Sequence, residues 1–321
     1  MTDQQALRRS RASTASALVR PLGPDSLTWR YFGDWRAMAL ALWAGSLQNM
    51  HPGLGAGVAQ HSRFFEERWE RLHRSFYPVL GVVYDGPKAL DTACAIRHYH
   101  DTITGEDNLG RRYHALSPDL FYWAHATFFM GTVTLADRLG GRLSEAEKQQ
   151  LFDEHVCWYA LYGMGVQCVP EDWVSFQRYW DHMCAEVLED NWATRAVLDL
   201  RRIGRPPSVP WLPRPVWALL RPLVVRPLVW LTVGLYPPVV RTRLGYPWSA
   251  ADERRLRLLG ALLNALWRLI PHDWRYHPRA RAGWRRATGR QPADIAPPDT
   301  PARNLPPIHR RDDPSHYSPR R

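Results

Sequence analysis

Hydrophobic residues along this chain return at intervals of three and four, the spacing that gathers side chains on one face of an α-helix. Trp69, Leu72, Phe76, Val83 and either Val79 or Leu80 form such a stripe. They predict an amphipathic helix over 66–84, bent where Pro78 removes a backbone donor. Ile96, Tyr99, His100 and Ile103 fall at i, i+3, i+4 and i+7, predicting a helix from Pro87 to about Thr104 that Gly105 stops. On it His100 faces inward with the apolar residues. His98 lies about 200° away, beside Asp101 and Thr102, where water reaches it.

The same periodicity predicts helices over 35–48 and 120–139, the second opened by Ser117-Pro118-Asp119. Ser144 with Glu147 is a capping box for a helix to about Tyr162. Further helices are expected over 172–188 and from Ser249 to Ile270. The stretch from His51 to Ser62, with Gly53, Gly55 and Gly57, reads as a glycine-rich loop, and Gly110 to Ala115 as a connection. No segment offers convincing period-two alternation and no repeat is visible, so the fold class is all-α, a single multi-helix domain. It is expected to occupy 28–270, after a flexible arm over 1–27. An Arg/Pro-rich tail over 271–321, mostly disordered, would follow it, with 292–321 contributing little to the core.

Composition changes this picture in three places. Asp190 to Arg321 holds 24 Arg against nine acidic residues, and the first 189 residues hold 18 basic against 22 acidic. An anionic partner follows from such a balance. Yet only Lys88 and Lys148 are lysines and no nucleic-acid module pattern accompanies the arginines, so no nucleic acid is expected. Residues 215–240 are the most apolar run, but Arg221, Arg226 and prolines at 222, 227, 237 and 238 argue against a spanning helix. One or two short helices and a peripheral membrane contact are expected there. Cys94, Cys157, Cys168 and Cys184 make no CxxC and read as buried thiols of a reducing compartment, which points to a cytoplasmic, membrane-associated location.

Most catalytic signatures are absent. A di-iron carboxylate bundle needs two Glu-x-x-His pairs, and only Glu70 with His73 occurs. There is no His-Glu-x-x-His, no Gly-x-Ser-x-Gly, no P-loop and no haem-attachment pair of cysteines. What remains is a helical chain with three candidate inward histidines, His61, His100 and His125, with arginines near them and 16 Trp and 13 Tyr to wall a cavity. A b-type haem needs one axial imidazole, an apolar slot and cations for its propionates, which this inventory allows without singling it out.

The order of short motifs supplies more. His51-Pro52-x-x-Gly55-x-Gly57-Val58-x-x-His61-Ser62 is followed by Arg71-x-x-Arg74-Ser75 and then by Arg97-x-x-His100 with Gly105. Gly110-Arg111-Arg112-Tyr113, Trp123-Ala124-His125-Ala126 and Val169-Pro170 complete the series over roughly residues 28–270. In this order they resemble the family of mpaB-type membrane-associated oxygenases and the catalytic domain of the latex-clearing (rubber) oxygenases. The resemblance implies an all-helical fold that encloses one haem b and uses O₂ to cleave carbon–carbon double bonds of isoprenoid chains. It makes His100 the proximal iron ligand, with His125 as its rival. It places Arg71, Arg74 and Ser75 where the rubber enzymes carry Arg-x-x-Lys-Thr, as the catalytic group. Arg97, His51 and His61 would then lie at the cofactor, the two histidines alternatively as loop caps. Arg74 replaces a lysine and Ser75 a threonine. No counterpart of the glutamate base of the rubber enzymes is found. The expectation is therefore a haem-dependent oxygenase of a hydrophobic small molecule; the alternative is a non-catalytic haem- or lipid-binding protein.

Overall fold

A computed structural model describes residues 19–316. The arm expected over 1–27 thus lies largely outside the described residues. Ser26 and Asp34 cap two short helices, α1 (Leu27–Tyr31) and α2 (Trp35–Met38), each accepting a backbone N–H of the first turn. The single helix expected over 35–48 is therefore split, and its second part is α3 (Ala41–Met50). Pro52 then starts α4 (Pro52–His61) at the first helical position, where its missing donor costs nothing. The glycine-rich loop expected here is helical. Gly53 and Gly55 explain why: a Cβ on Gly53 would lie 2.6 Å from Leu120 Cδ1, and one on Gly55 2.5 Å from the Asn49 carbonyl. The glycines let this helix press against its neighbours on two sides.

α5 (Arg68–Tyr84) runs through Pro78, and α6 (Ala89–His98) follows a 3₁₀ turn at Gly86–Lys88. α6 ends six residues earlier than the periodicity predicts. Gly105 does not stop a helix but lies in β1 (Thr104–Glu106), which pairs antiparallel with β2 (Arg112–His114) and sets Gly105 opposite Tyr113. Three-residue strands are too short for alternation to betray them. A Cβ at Gly105 would come within 2.6 Å of the Tyr113 hydroxyl, which donates 2.7 Å to Gln60 Oε1 of α4.

α7 (Pro118–Leu139) is the most buried helix, and α8 (Glu145–Ala160) packs beside it behind the predicted Ser144–Glu147 capping box. Phe129, Phe152, Phe176 and Trp173 interlock there, each contributing on the order of 1.5–3 kcal/mol through burial. α9 (Trp173–His182) is capped by Asp172 and passes through a π-turn at Met183–Val187; α10 (Trp192–Leu198) follows. α11 (Arg214–Leu235) is one helix of 22 residues, not the short pieces expected, although Pro222 and Pro227 lie inside it. The carbonyls these prolines strand belong to Ala218 and Leu223, both exposed, where solvent can reach them. α12 (Pro238–Arg243) and α13 (Ala250–Trp267) complete the body, the latter opened by a Ser249–Asp252 capping box.

The C-terminal part differs from the disordered tail expected beyond residue 270. α14 (Pro278–Ala287) lies along α5 and sends Arg279 to Asp85 in a buried two-toothed ion pair. His277 N–H donates 2.9 Å to the Gly33 carbonyl, and Trp267 Nε1 donates 2.8 Å to Asp34. Beyond it, Thr300, Asn304 and His316 are buried, and Arg63 N–H donates 3.1 Å to the Ser315 carbonyl. Among the described residues the protein is all-helical but for one two-stranded sheet. No disulfide links the four cysteines; Cys157 and Cys184 are buried as expected, whereas Cys94 is exposed.

Candidate functional site

His100 does not sit on a helix. It lies in the turn after α6, where its backbone N–H donates 2.9 Å to the Arg97 carbonyl. The turn still separates the two histidines: His98 is exposed and pairs with Asp101, while His100 is part-buried with its ring edge-on to Phe121 of α7, centroids 5.9 Å apart. His100 Nδ1 is 2.8 Å from the Ile96 carbonyl. A carbonyl only accepts, so Nδ1 carries the proton and Nε2 the lone pair. Burial pushes the imidazole down to about 4, against the raising effect of the Ile96 hydrogen bond and with a further lowering from the Arg71 charge. Near pH 7 His100 is neutral.

Arg71 comes from α5, close enough for its charge to act on His100, and it hydrogen-bonds Ser75 one turn on. The Ser75 hydroxyl also donates 3.1 Å to the Arg71 carbonyl. Arg97, from the last turn of α6, reaches the Tyr162 and Gly163 carbonyls at 3.4 and 3.5 Å. Phe121 packs on Tyr162 with centroids 5.3 Å apart. Thus His100 packs on Phe121 and Arg97 reaches Tyr162, with the Arg71–Ser75 pair near enough for its charge to act on His100. Neither aromatic residue stood out in the sequence, because nothing about a Phe or Tyr on an apolar face signals which neighbour it will meet.

Arg74 faces away from this group. It is 1% exposed, and its Nη2 donates 2.5 Å to Glu67, which also accepts from His316 Nδ1 at 3.0 Å. Burial works to raise the Glu67 carboxyl, but the Arg74 and His316 hydrogen bonds prevail and hold it below its usual value. Nε and Nη1 of Arg74 are buried and find no hydrogen-bond partner among the described residues. Two donors of a buried cation left unsatisfied are costly unless an anion meets them.

The remaining histidines are dispersed. His51 precedes α4 and His61 ends it, so they stand about 15 Å apart. His61 Nε2 is 2.9 Å from the Thr104 carbonyl, tying α4 to β1. Burial, with the Arg111 charge second, lowers His51 to about 4, and its Nδ1 is buried without a hydrogen-bond partner among the described residues. His125 is deep in the aromatic core, its Nε2 3.3 Å from the His155 carbonyl and its ring walled by Trp158, Tyr159 and His155. Phe121 and Tyr162 stand between it and His100. None of the three cavities described, of about 660, 290 and 890 Å³, is lined by His100, Arg71, Arg74 or Ser75.

The comparisons give the class of this all-helical domain. Residues 29–265 match the family described as ER-bound oxygenase mpaB/B′/rubber oxygenase, catalytic domain, and the chain belongs to it. The activity class of that domain is oxygenase, an oxidoreductase working on a small molecule with O₂. Among curated relatives, the uncharacterized proteins Mb2261 of Mycobacterium bovis and Rv2237 of Mycobacterium tuberculosis are each 27% identical over 227 residues, spanning 69% of this chain and 85% of the relative. No solved structure matches the chain.

Proposed function

We propose that this oxygenase is haem b-dependent, with His100 as the iron ligand, and that its substrate is a hydrophobic molecule of isoprenoid type. The observation that carries the reading is the state of His100. A neutral imidazole whose Nδ1–H is anchored on the Ile96 carbonyl is in the tautomer that ligation through Nε2 would require. His125 is the weaker candidate, because it is fully buried among the rings of Trp158, Tyr159 and His155, 4.7–5.6 Å away, and its Nε2 already faces the His155 carbonyl. The residues present fit the group: one neutral donor, aromatic Phe121 and Tyr162 beside it, and a cation for the propionates. Arg97, from the last turn of α6, would serve as such a cation, whereas Arg74 is turned away toward Glu67.

Haem held there supplies the activation of O₂. The chain's own residues do the rest. Ser75, oriented by the Arg71 carbonyl, holds a hydroxyl proton at Oγ, and Arg71 fixes that oxygen with its guanidinium. Phe121 and Tyr162 exclude water on the histidine side.

Haem content decides the reading. Protein from haem-sufficient cells is expected to hold about one acid-acetone-extractable haem b, the stoichiometry of a single axial histidine. His100→Ala should lose it, while His98→Ala and Ser75→Ala should keep it. A colourless protein that also refuses added hemin would refute haem dependence. Loss in His125→Ala with retention in His100→Ala would transfer the ligand to His125. Steady O₂ consumption with an isoprenoid then separates an oxygenase from a carrier that merely binds the cofactor.

A further inference from the structure

α11 has two unlike faces. Trp217, Val225 and Leu228 turn inward onto a small satellite cluster that includes Leu200, Ile203 and Trp69 of α5, two residues from Arg71. On the opposite side Val216, Leu219, Leu220 and Leu223 fall at i, i+3, i+4 and i+7 and project from the protein. Leu219 is 77% and Leu223 71% exposed, and Trp211, just before the helix, is 76% exposed. Isolated exposed leucines are ordinary, but a helix with its outward stripe wholly apolar marks a surface built for a partner.

The charge around this stripe identifies the partner. Residues 200–251 contain eight arginines and no Asp, Glu or Lys. Arg202, Arg214 and Arg226 are exposed, the last two on α11 itself. The helix is long and apolar enough to cross a bilayer, yet its last turns, Leu231–Leu235, are buried in the protein core. It cannot leave the fold to span. An apolar stripe bordered by Arg226, with further exposed arginines at the start of the helix and just before it, and preceded by a tryptophan, is instead the composition of a helix that lies in the plane of an anionic membrane.

We infer that the outward face of α11, with Trp211 and the arginines of 200–226, docks the protein onto anionic lipid, seating Leu219 and Leu223 at the headgroup–acyl boundary. The inference is independent of the haem reading. If that reading also holds, docking sets the lipid phase one helix away from the Arg71–Ser75 turn, a direct route for a substrate with little solubility in water.

Co-sedimentation of the full chain with vesicles tests it. Binding is expected to phosphatidylcholine vesicles that contain phosphatidylglycerol, to weaken with salt, and to be slight on pure phosphatidylcholine. Leu219→Glu/Leu223→Glu should bind at least about tenfold more weakly, because two leucines no longer leave water. Its far-ultraviolet circular dichroism and melting should match the parent, since both side chains are already exposed. Arg214→Glu/Arg226→Glu should lose the preference for the anionic vesicles. As a check free of charge changes, a nitrobenzoxadiazole label on Leu219→Cys in a Cys94→Ser background should shift to the blue when vesicles are added. Failure of the full chain to sediment with either vesicle overturns the inference, as does undiminished binding of the leucine pair variant. A concentration-dependent dimer that the leucine variant abolishes would overturn it too, assigning the face to a second copy of the chain.

Discussion

Arg279→Met removes the only cation bonded to Asp85 among the described residues and leaves a carboxylate in the interior. The two side chains sit 194 positions apart in sequence and are 9% and 1% exposed. Arg279 Nε donates 3.0 Å to Oδ1 while Nη2 bonds Oδ2, with the guanidinium lying on Gly81, where a Cβ would meet its Cζ at 2.6 Å. Breaking a buried pair from one side costs about 3–5 kcal/mol. Thr92 Oγ1 still donates 2.9 Å to Asp85 Oδ2, which places the expected loss near the lower end, about 3 kcal/mol. For a domain of this size that is a fall of roughly 4–6 °C in Tm. Differential scanning fluorimetry of Arg279→Met, Asp85→Leu and the double variant reads it. The double variant should recover part of the loss, because a buried apolar pair has no charge left uncompensated. An Arg279→Met protein melting within about 1 °C of the parent would refute the reasoning, since α14 would then not depend on this pair.

Removing residues 292–321 takes away buried Thr300, Asn304 and His316, so the truncated chain should melt several degrees lower; an unchanged Tm would mean that the segment is not docked. His155 is lowered to about 3, and His125 falls well below the ordinary value; burial is the main cause for both. With folded values below the unfolded 6.5, the unfolded state takes up protons first as pH falls. Stability is therefore full above pH 6.5 and drains toward about 3, by up to about 1.4 kcal/mol per pH unit for each histidine. Urea melts at pH 7, 6, 5 and 4 should show that descent; a midpoint flat from 6.5 to 4.5 would contradict it. Gly55→Val should destabilise by about 1–3 kcal/mol, because its Cβ meets the Asn49 carbonyl, and full stability in that variant would disprove the close approach of α4.

Much of the helical plan follows from local chemistry. Ser144–Glu147 and Ser249–Asp252 are complete start signals within four residues, and both open helices as read. Burial of His100 and exposure of His98 also follow from neighbours in the chain, although the backbone there is a turn rather than a helix. Periodicity misjudged that boundary because Tyr99 and Ile103 pack inward from a turn as well as from a helix.

Where the chain's own neighbours carry no information, only the tertiary structure decided. Three glycines between His51 and Ser62 signal a loop by propensity, but propensity counts little once Leu120, Tyr113 and Asn191 press on the segment and helix is the conformation that fits. Likewise the arginine- and proline-rich C-terminal part has too few apolar residues to announce a core position. It is held by Asp85, Glu67 and Gly33, residues more than 200 positions earlier or nearly so, whose pairing no window along the sequence can contain. The approach of the Arg71–Ser75 pair to His100 is of the same kind: the pair lies on α5 and the histidine in the turn after α6, and only the packing of these elements brings a charge close enough to shape that imidazole.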